Sequence, residues 1–266
     1  MPSKSVTLGD TKIDYVVFGR GAKPLVILPG LADGIQTVRA KALLLAFFYR
    51  KYGRHFRVYV FSRKRLLPEG YSTKEMAQDQ KIVLEKLGIK KYYLMGISQG
   101  GMIAQHLAII SPEAVERLVL AVTVPRVNDL LVKSINAWVE MVEKGQSANL
   151  LVDTFENIYT AKRLKRYRPF YPLLRRVGQL KDPKRFLIQA YSCLTHDSYE
   201  DLGQIIAPTL ILGAANDRVL GVAGSKEMAE KIAHSRLSVY KEMGHAVYEE
   251  SDAFNREVIT FYLEEE

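Results

Sequence analysis

Along its length the chain alternates short apolar runs with amphipathic stretches of helical spacing. Val6-Thr7-Leu8 and Ile13-Asp14-Tyr15-Val16-Val17 flank the turn pair Gly9-Asp10 and predict an antiparallel hairpin. Pro24 introduces Leu25-Val26-Ile27-Leu28, apolar without alternation in the manner of a strand buried on both faces. A helix is predicted over 36–52 and a strand over 56–61. Ser72 with Glu75 three residues on forms a capping-box start, and Gly88 stops the helix that follows. Tyr92–Met95 is a strand, the pattern Met102, Ile103, Leu107, Ile110 is helical, and Glu116–Val122 is another strand.

From about 128 to 201 the rhythm lapses. Segments 130–143 and 183–194 have helical spacing, and nothing between them reads as a strand. It then resumes with a strand at Pro208–Gly213, a helix at 225–233, a strand at Leu237–Tyr240 and a closing helix at 246–263. Strands separated by helices imply an α/β protein with a mostly parallel sheet covered on both faces. The helical interruption is expected at the carboxyl ends of the strands, where ligands bind in open α/β sheets.

A length of 266 residues accommodates one such domain with an inserted lobe, and 48% apolar with 25% charged residues excludes disorder. A lone cysteine, Cys193, excludes an intrachain disulfide and a cysteine-based metal cluster. The first seven residues lack an apolar signal-peptide core, and the longest apolar run, Ala42–Tyr49, is too short to span a bilayer. No membrane span and a cytoplasmic location are therefore expected. Ten basic residues and one acid, Asp182, lie between Lys162 and Arg185, so this segment alone carries the formal excess of nine positive charges. No nucleic-acid-binding module accompanies it, and it reads as a solvated basic face of the inserted lobe; a role in drawing in acidic esters is the functional counterpart.

The chemistry centres on Gly96-Ile97-Ser98-Gln99-Gly100, set between a strand and a helix. Flanking glycines are required where a serine is held in a turn too tight for neighbouring side chains. A serine hydroxyl is almost un-ionised at neutral pH, so it needs a base and a third group to orient that base. Of five histidines, His245 alone follows a strand and precedes a helix on the side of the sheet where Ser98 lies. Asp217, just past the strand ending near Gly213, is the matching acid. No zinc-helix signature, phosphate loop or dinucleotide fingerprint is present, so no metal or cofactor is expected.

With Ser98, Asp217 and His245 in that chain order, the sequence resembles the α/β-hydrolase fold superfamily over nearly its whole length. The resemblance implies an eight-stranded, mostly parallel sheet, a core of 1–126 and 202–266, and a helical cap of 127–201. It implies Ser98 as nucleophile, His245 as base then acid, Asp217 as orienting carboxylate, and Leu31 and Gln99 as backbone donors of an oxyanion hole; in some relatives the acid follows an earlier strand, which makes Asp129 the alternative to Asp217. Such donors contribute roughly 3–4 kcal/mol each. Two departures stand out. Pro29-Gly30 replaces the usual His-Gly, and Ser62-Arg63-Lys64-Arg65 keeps only the arginine of Asp-x-Arg-Gly. Dehalogenases and epoxide hydrolases of this fold carry a carboxylate at the elbow, so Ser98 points to acyl transfer. The expected reaction is cleavage of a small-to-medium carboxylic ester, aromatic or anionic esters among the candidates. C–C hydrolase, acyltransferase, peptidase and cofactor-free lyase chemistry share the triad, and a ligand-binding sensor is the reading from another class. Trp138, Tyr159 and Tyr191 are the tentative pocket aromatics. Oligomeric state is not encoded legibly.

Overall fold

A computed structural model describes residues 3–177 and 179–264; the outermost positions of the expected core, 1–2 and 265–266, lie outside them. Eight strands, β1 (Lys4–Leu8), β2 (Thr11–Phe18), β3 (Pro24–Leu28), β4 (Arg57–Lys64), β5 (Tyr92–Ile97), β6 (Val115–Ala121), β7 (Thr209–Ala214) and β8 (Ser235–Tyr240), form one sheet. Their spatial order is β1-β2-β4-β3-β5-β6-β7-β8. The β1–β2 and β2–β4 pairings are antiparallel and the others parallel. The predicted hairpin turns at Gly9, whose φ of +61° is open to glycine without steric penalty.

Helices α1 (Ala32–Ile35) and α2 (Ala42–Phe48) join β3 to β4, α3 (Thr73–Lys86) leads to β5, and α4 (Gln99–Ile110) leads to β6. Five helices then separate β6 from β7: α5 (Asp129–Glu143), α6 (Ser147–Ile158), α7 (Ala161–Tyr167), α8 (Tyr171–Val177) and α9 (Pro183–Leu194). Helix α10 (Ala223–Lys231) joins β7 to β8, and α11 (Val247–Glu250) and α12 (Asp252–Leu263) close the chain. One sheet face packs Val26, Leu94 and Leu118 against Met76, Ile103 and Leu107; the other packs Ile27, Met95 and Val119 with Phe254, Val258 and Tyr262. Central strands buried on both faces explain the unbroken apolar runs. Each such side chain contributes about 1.5–3 kcal/mol of transfer free energy.

Two helices differ from expectation. The stretch 36–52 divides into a 3-10 turn at Val38–Lys41, α2 and a second 3-10 turn at Tyr52–Arg54, and the Val38 N–H that opens the first donates to Ser62 Oγ (2.9 Å). The closing helix breaks at Ser251, whose extended backbone and Oγ, accepting from Phe254 N, cap α12 afresh. The Ser72/Glu75 capping box forms as the spacing predicts.

Candidate active site

Ser98 sits between β5 and α4 with φ 54° and ψ −122°, a conformation a non-glycine residue adopts only when its surroundings hold it there. Those surroundings are explicit. Ser98 N donates to Ala121 O (3.0 Å), and Thr123 Oγ1 donates to Ser98 O (2.8 Å). The turn closes against the end of β3: a Cβ at position 100 would lie 1.9 Å from Leu28 O, and one at position 96 would lie 2.5 Å from Gly100 O. Val122, next to Thr123, also has positive φ (42°), a costly state for a β-branched residue. Nothing in the local residue pattern marks Thr123 or Val122.

Asp217 and His245 are buried and joined, with His245 Nδ1 2.8 Å from Asp217 Oδ2. The other carboxylate oxygen, Oδ1, accepts from Val219 N (2.8 Å) and Leu220 N (3.0 Å). A carboxylate at Nδ1 fixes the ring proton there and leaves Nε2 as the acceptor. The two loops are stitched by Ala215 N to Tyr240 O and Asn216 N to Met243 O, both 3.0 Å. Among the described residues Ser98 Oγ makes no hydrogen bond to His245, a contact that commonly tightens only with substrate. Asp129 is the exposed first residue of α5, and among the described residues it makes no hydrogen bond to His245.

Beside the serine, Pro29-Gly30-Leu31 runs from β3 into α1, and a Cβ at position 30 would lie 3.6 Å from Ser98 Oγ. Among the described residues the N–H groups of Leu31 and Gln99 have no hydrogen-bond partner. A buried polar hub holds this loop. Arg63 Nη2 donates to Pro29 O (2.6 Å) and to Gln99 Oε1 (3.0 Å). Gln99 Nε2 reaches Gln189 O (2.7 Å) and Ser192 Oγ (3.1 Å) on α9. Asp33 Oδ2 accepts from Arg185 Nη2 (2.7 Å) and Arg63 N (3.1 Å). Asp33 thus bonds the guanidinium of Arg185 and the backbone of Arg63, and burial pulls the Arg63 pKa below the ordinary arginine value. Burial likewise pushes the Cys193 thiol up to about 12, so it stays protonated beside Gln99.

The end of α6 docks on the histidine loop: Ala246 N donates to Ile158 O (2.9 Å), and Gly244 leaves no room for a Cβ there. Tyr159 OH donates to Glu249, Thr160 N and Oγ1 to Glu250, and burial pushes the Glu249 carboxyl pKa up. A cleft of about 930 Å³ lies between α5, α6 and the Asp217 loop. Trp138, Asp153, Asn157, Tyr159 and Arg218 line it, and neither Ser98 nor His245 does. It therefore opens beside the acid. Of the three tentative pocket aromatics, Trp138 and Tyr159 line this cleft. Tyr191 stands on the outer side of α9, 44% exposed, its OH donating to Glu143, because its neighbours Ala190 and Cys193 take the inward face. Among the described residues no group of three or more His, Cys, Asp or Glu side chains could hold a metal ion, and no helix is long and apolar enough to cross a membrane.

The sequence profile described as alpha/beta hydrolase fold matches residues 23–252. The chain is 28% identical over 245 residues to “Putative carbamate hydrolase RutD” of Cronobacter sakazakii, covering 85% of each chain. It is 30% identical over 198 residues to the 2-hydroxy-6-oxononadienedioate/2-hydroxy-6-oxononatrienedioate hydrolase of Klebsiella pneumoniae, covering 68% of this chain and 65% of that one. Among solved structures, an alpha/beta hydrolase enzyme from a Medee basin deep-sea metagenome superposes with a TM-score of 0.85 at 23% identity, over 99% of this chain and 98% of the other.

Proposed function

Since the chain belongs to the alpha/beta hydrolase fold family, we propose that it is a serine hydrolase cleaving a small-to-medium carboxylic ester. Ser98 attacks the carbonyl carbon while His245 Nε2 takes its proton. The N–H groups of Leu31 and Gln99 stabilise the oxyanion, and the imidazolium returns the proton to the departing alkoxide. Water, activated by the same histidine, then hydrolyses the acyl-enzyme. Asp217 holds the histidine tautomer and stabilises the imidazolium. The observation that carries this reading is the buried 2.8 Å contact of His245 Nδ1 with Asp217 Oδ2, with Ser98 strained at positive φ on the same sheet edge. Residues 127–201 act as a helical cap that governs access, and the protein works in the cytoplasm on a small-molecule substrate.

A second reading concerns the carbonyl attacked. The relatives named for carbamate and dienedioate hydrolysis cover 85% and 68% of the chain, and the same three residues suit a carbamate or the C–C bond of a vinylogous diketone. The deciding experiment is fluorophosphonate labelling of wild type, Ser98→Ala and His245→Ala, followed by a panel of p-nitrophenyl esters, carbamates and C–C substrates. Labelling and ester turnover confined to the wild type support the reading. Undiminished ester turnover in Ser98→Ala refutes it, and an unlabelled wild type favours a ligand-binding role.

A further inference from the structure

Helix α2 reads Ala-Leu-Leu-Leu-Ala-Phe-Phe, yet none of its residues is fully buried. Leu43 is 73% exposed, Leu44 64% and Phe47 65%. At positions i, i+1 and i+4 they form one contiguous apolar face on a two-turn helix. An apolar patch of this kind on an otherwise polar surface calls for a partner.

The charges around it say which. From Gly34 to Phe56 the chain carries five basic residues and no acid. Arg39 and Lys41 precede the helix, and Arg50, Lys51 and Arg54 follow it. Arg39, Arg50 and Arg54 are exposed, and the Arg50 guanidinium stands 4.2 Å from the centre of the Phe47 ring. Lys51 pairs with Asp252, the one ion pair this group makes among the described residues. The basic rim continues on α7, with exposed Lys162, Lys165 and Arg166. Helix α11 lies between the two: Arg163 Nη2 donates to Glu249 O (3.4 Å), and Glu249 is within Coulombic reach of Lys41.

We propose that α2 and its basic rim form a docking surface for an anionic lipid bilayer, with Leu43, Leu44 and Phe47 entering the headgroup–acyl boundary and the surrounding arginines and lysines meeting lipid phosphates. Long basic side chains beside an apolar helix suit that boundary, since their stems pack on the apolar face while their charges reach the interface. A second copy of the chain is a poor occupant. A two-fold contact would stack this patch on itself and set its arginines against their own counterparts. Three side chains also fall far short of the roughly 800 Å² per partner of a stable protein interface.

The test is flotation of the full chain with vesicles of phosphatidylcholine alone and of phosphatidylcholine with phosphatidylglycerol, at low and high salt. The wild type is expected to float with the anionic vesicles only, and less at high salt. Phe47→Glu is expected to lower partitioning by about tenfold or more, since a charge replaces the one aromatic anchor of the three. Arg39→Glu and Arg50→Glu should each lower it by at least about fivefold. The substituted side chains are exposed, so melting temperatures should match the wild type. Failure of the wild type to bind anionic vesicles overturns the proposal. So does Phe47→Glu binding as well as wild type, which would leave the basic α7 face as a purely electrostatic contact, or self-association that Phe47→Glu abolishes. Ser98→Ala should float like the wild type, so the outcome is independent of the catalytic reading.

Discussion

At the scale of single residues, the candidate site depends on side chains that hold other groups in place. Asp217 spends one oxygen on two backbone N–H groups and the other on His245. Asp217→Asn keeps that shape but presents an amide N–H where the imidazole needs an acceptor, favouring the wrong tautomer. Turnover of a p-nitrophenyl ester is expected to fall about 10⁴-fold with melting temperature nearly unchanged. Arg63 acts one step further back, through Pro29 O and Gln99 Oε1, on the peptide that leads to Leu31 and on the residue whose own N–H is the second proposed donor. Loss of a single oxyanion donor typically costs 10²–10³-fold in kcat. Arg63→Met displaces donors without deleting them, so a fall of about ten- to a hundredfold in kcat with little change in KM is expected. Stability should suffer less than is usual for a buried arginine. Arg63 and Arg185 are both buried near one buried carboxylate, Asp33, which bonds the guanidinium of Arg185 and only the backbone of Arg63, so removing Arg63 leaves a balanced pair with Arg185. Steady-state kinetics beside thermal melts check both halves. A loss in KM rather than kcat would mean that Arg63 shapes substrate binding instead.

At the scale of elements, the turn at Ser98 is the least tolerant part of the fold. Gly100→Ala would place a methyl 1.9 Å from Leu28 O, a backbone atom that cannot move without shifting β3. Destabilisation of more than about 4 kcal/mol, seen as insoluble or unfolded protein, is expected. Gly203→Ala is the control: its nearest neighbour would be 4.0 Å away, and the variant should melt at or slightly above the wild-type temperature, since alanine restricts the unfolded chain. Circular dichroism melts of the two variants separate steric demand from general intolerance of glycine substitution. How legible each element is from sequence follows the same physics. Leu25–Leu28 and Leu210–Leu212 stand out because both faces of a central strand are buried, and the meeting of Asp217 with His245 is implied by two loops that follow adjacent parallel strands. Helix α7 (Ala-Lys-Arg-Leu-Lys-Arg-Tyr) buries only Leu164 and so shows no period; its start is set by Thr160, capped locally and tied to Glu250 from the far end of the chain. Arg185 is hidden for another reason. It lies among ten basic residues with nothing local to mark it as the one that turns inward to Asp33, 152 positions away.

At the scale of the whole molecule, the join between the helical segment and the sheet contains a buried histidine pair that makes stability depend on pH. His196 follows α9, and its Nδ1 lies 2.9 Å from Thr73 Oγ1 on α3; its ring packs edge-on against His106 of α4, 5.2 Å between centres. Burial lowers the pKa of His106 to about 4 and that of His196 to about 3, from an ordinary 6.5. Lys74 pushes His106 further down while Asp201 and Asp197 oppose, and His106 disfavours a charge on His196. Both are therefore neutral in the folded protein at pH values where they already bind protons in the unfolded chain. Stability rises with pH wherever the unfolded state holds more protons. The contribution is fully present above about pH 6.5 and is lost as pH falls toward 4, the loss continuing toward 3 for His196. At about 1.4 kcal/mol per pKa unit, His106 alone accounts for about 3 kcal/mol across that window. Urea denaturation between pH 7.5 and 4.5 should show the slope directly. In His106→Gln, which keeps a polar side chain without a titrating ring, the slope should flatten by up to one proton and the neighbouring His196 should hold its charge more readily. An unchanged slope in that variant would assign the acid sensitivity to the carboxylates, and the seam between helical segment and sheet would then be insensitive to pH in this range.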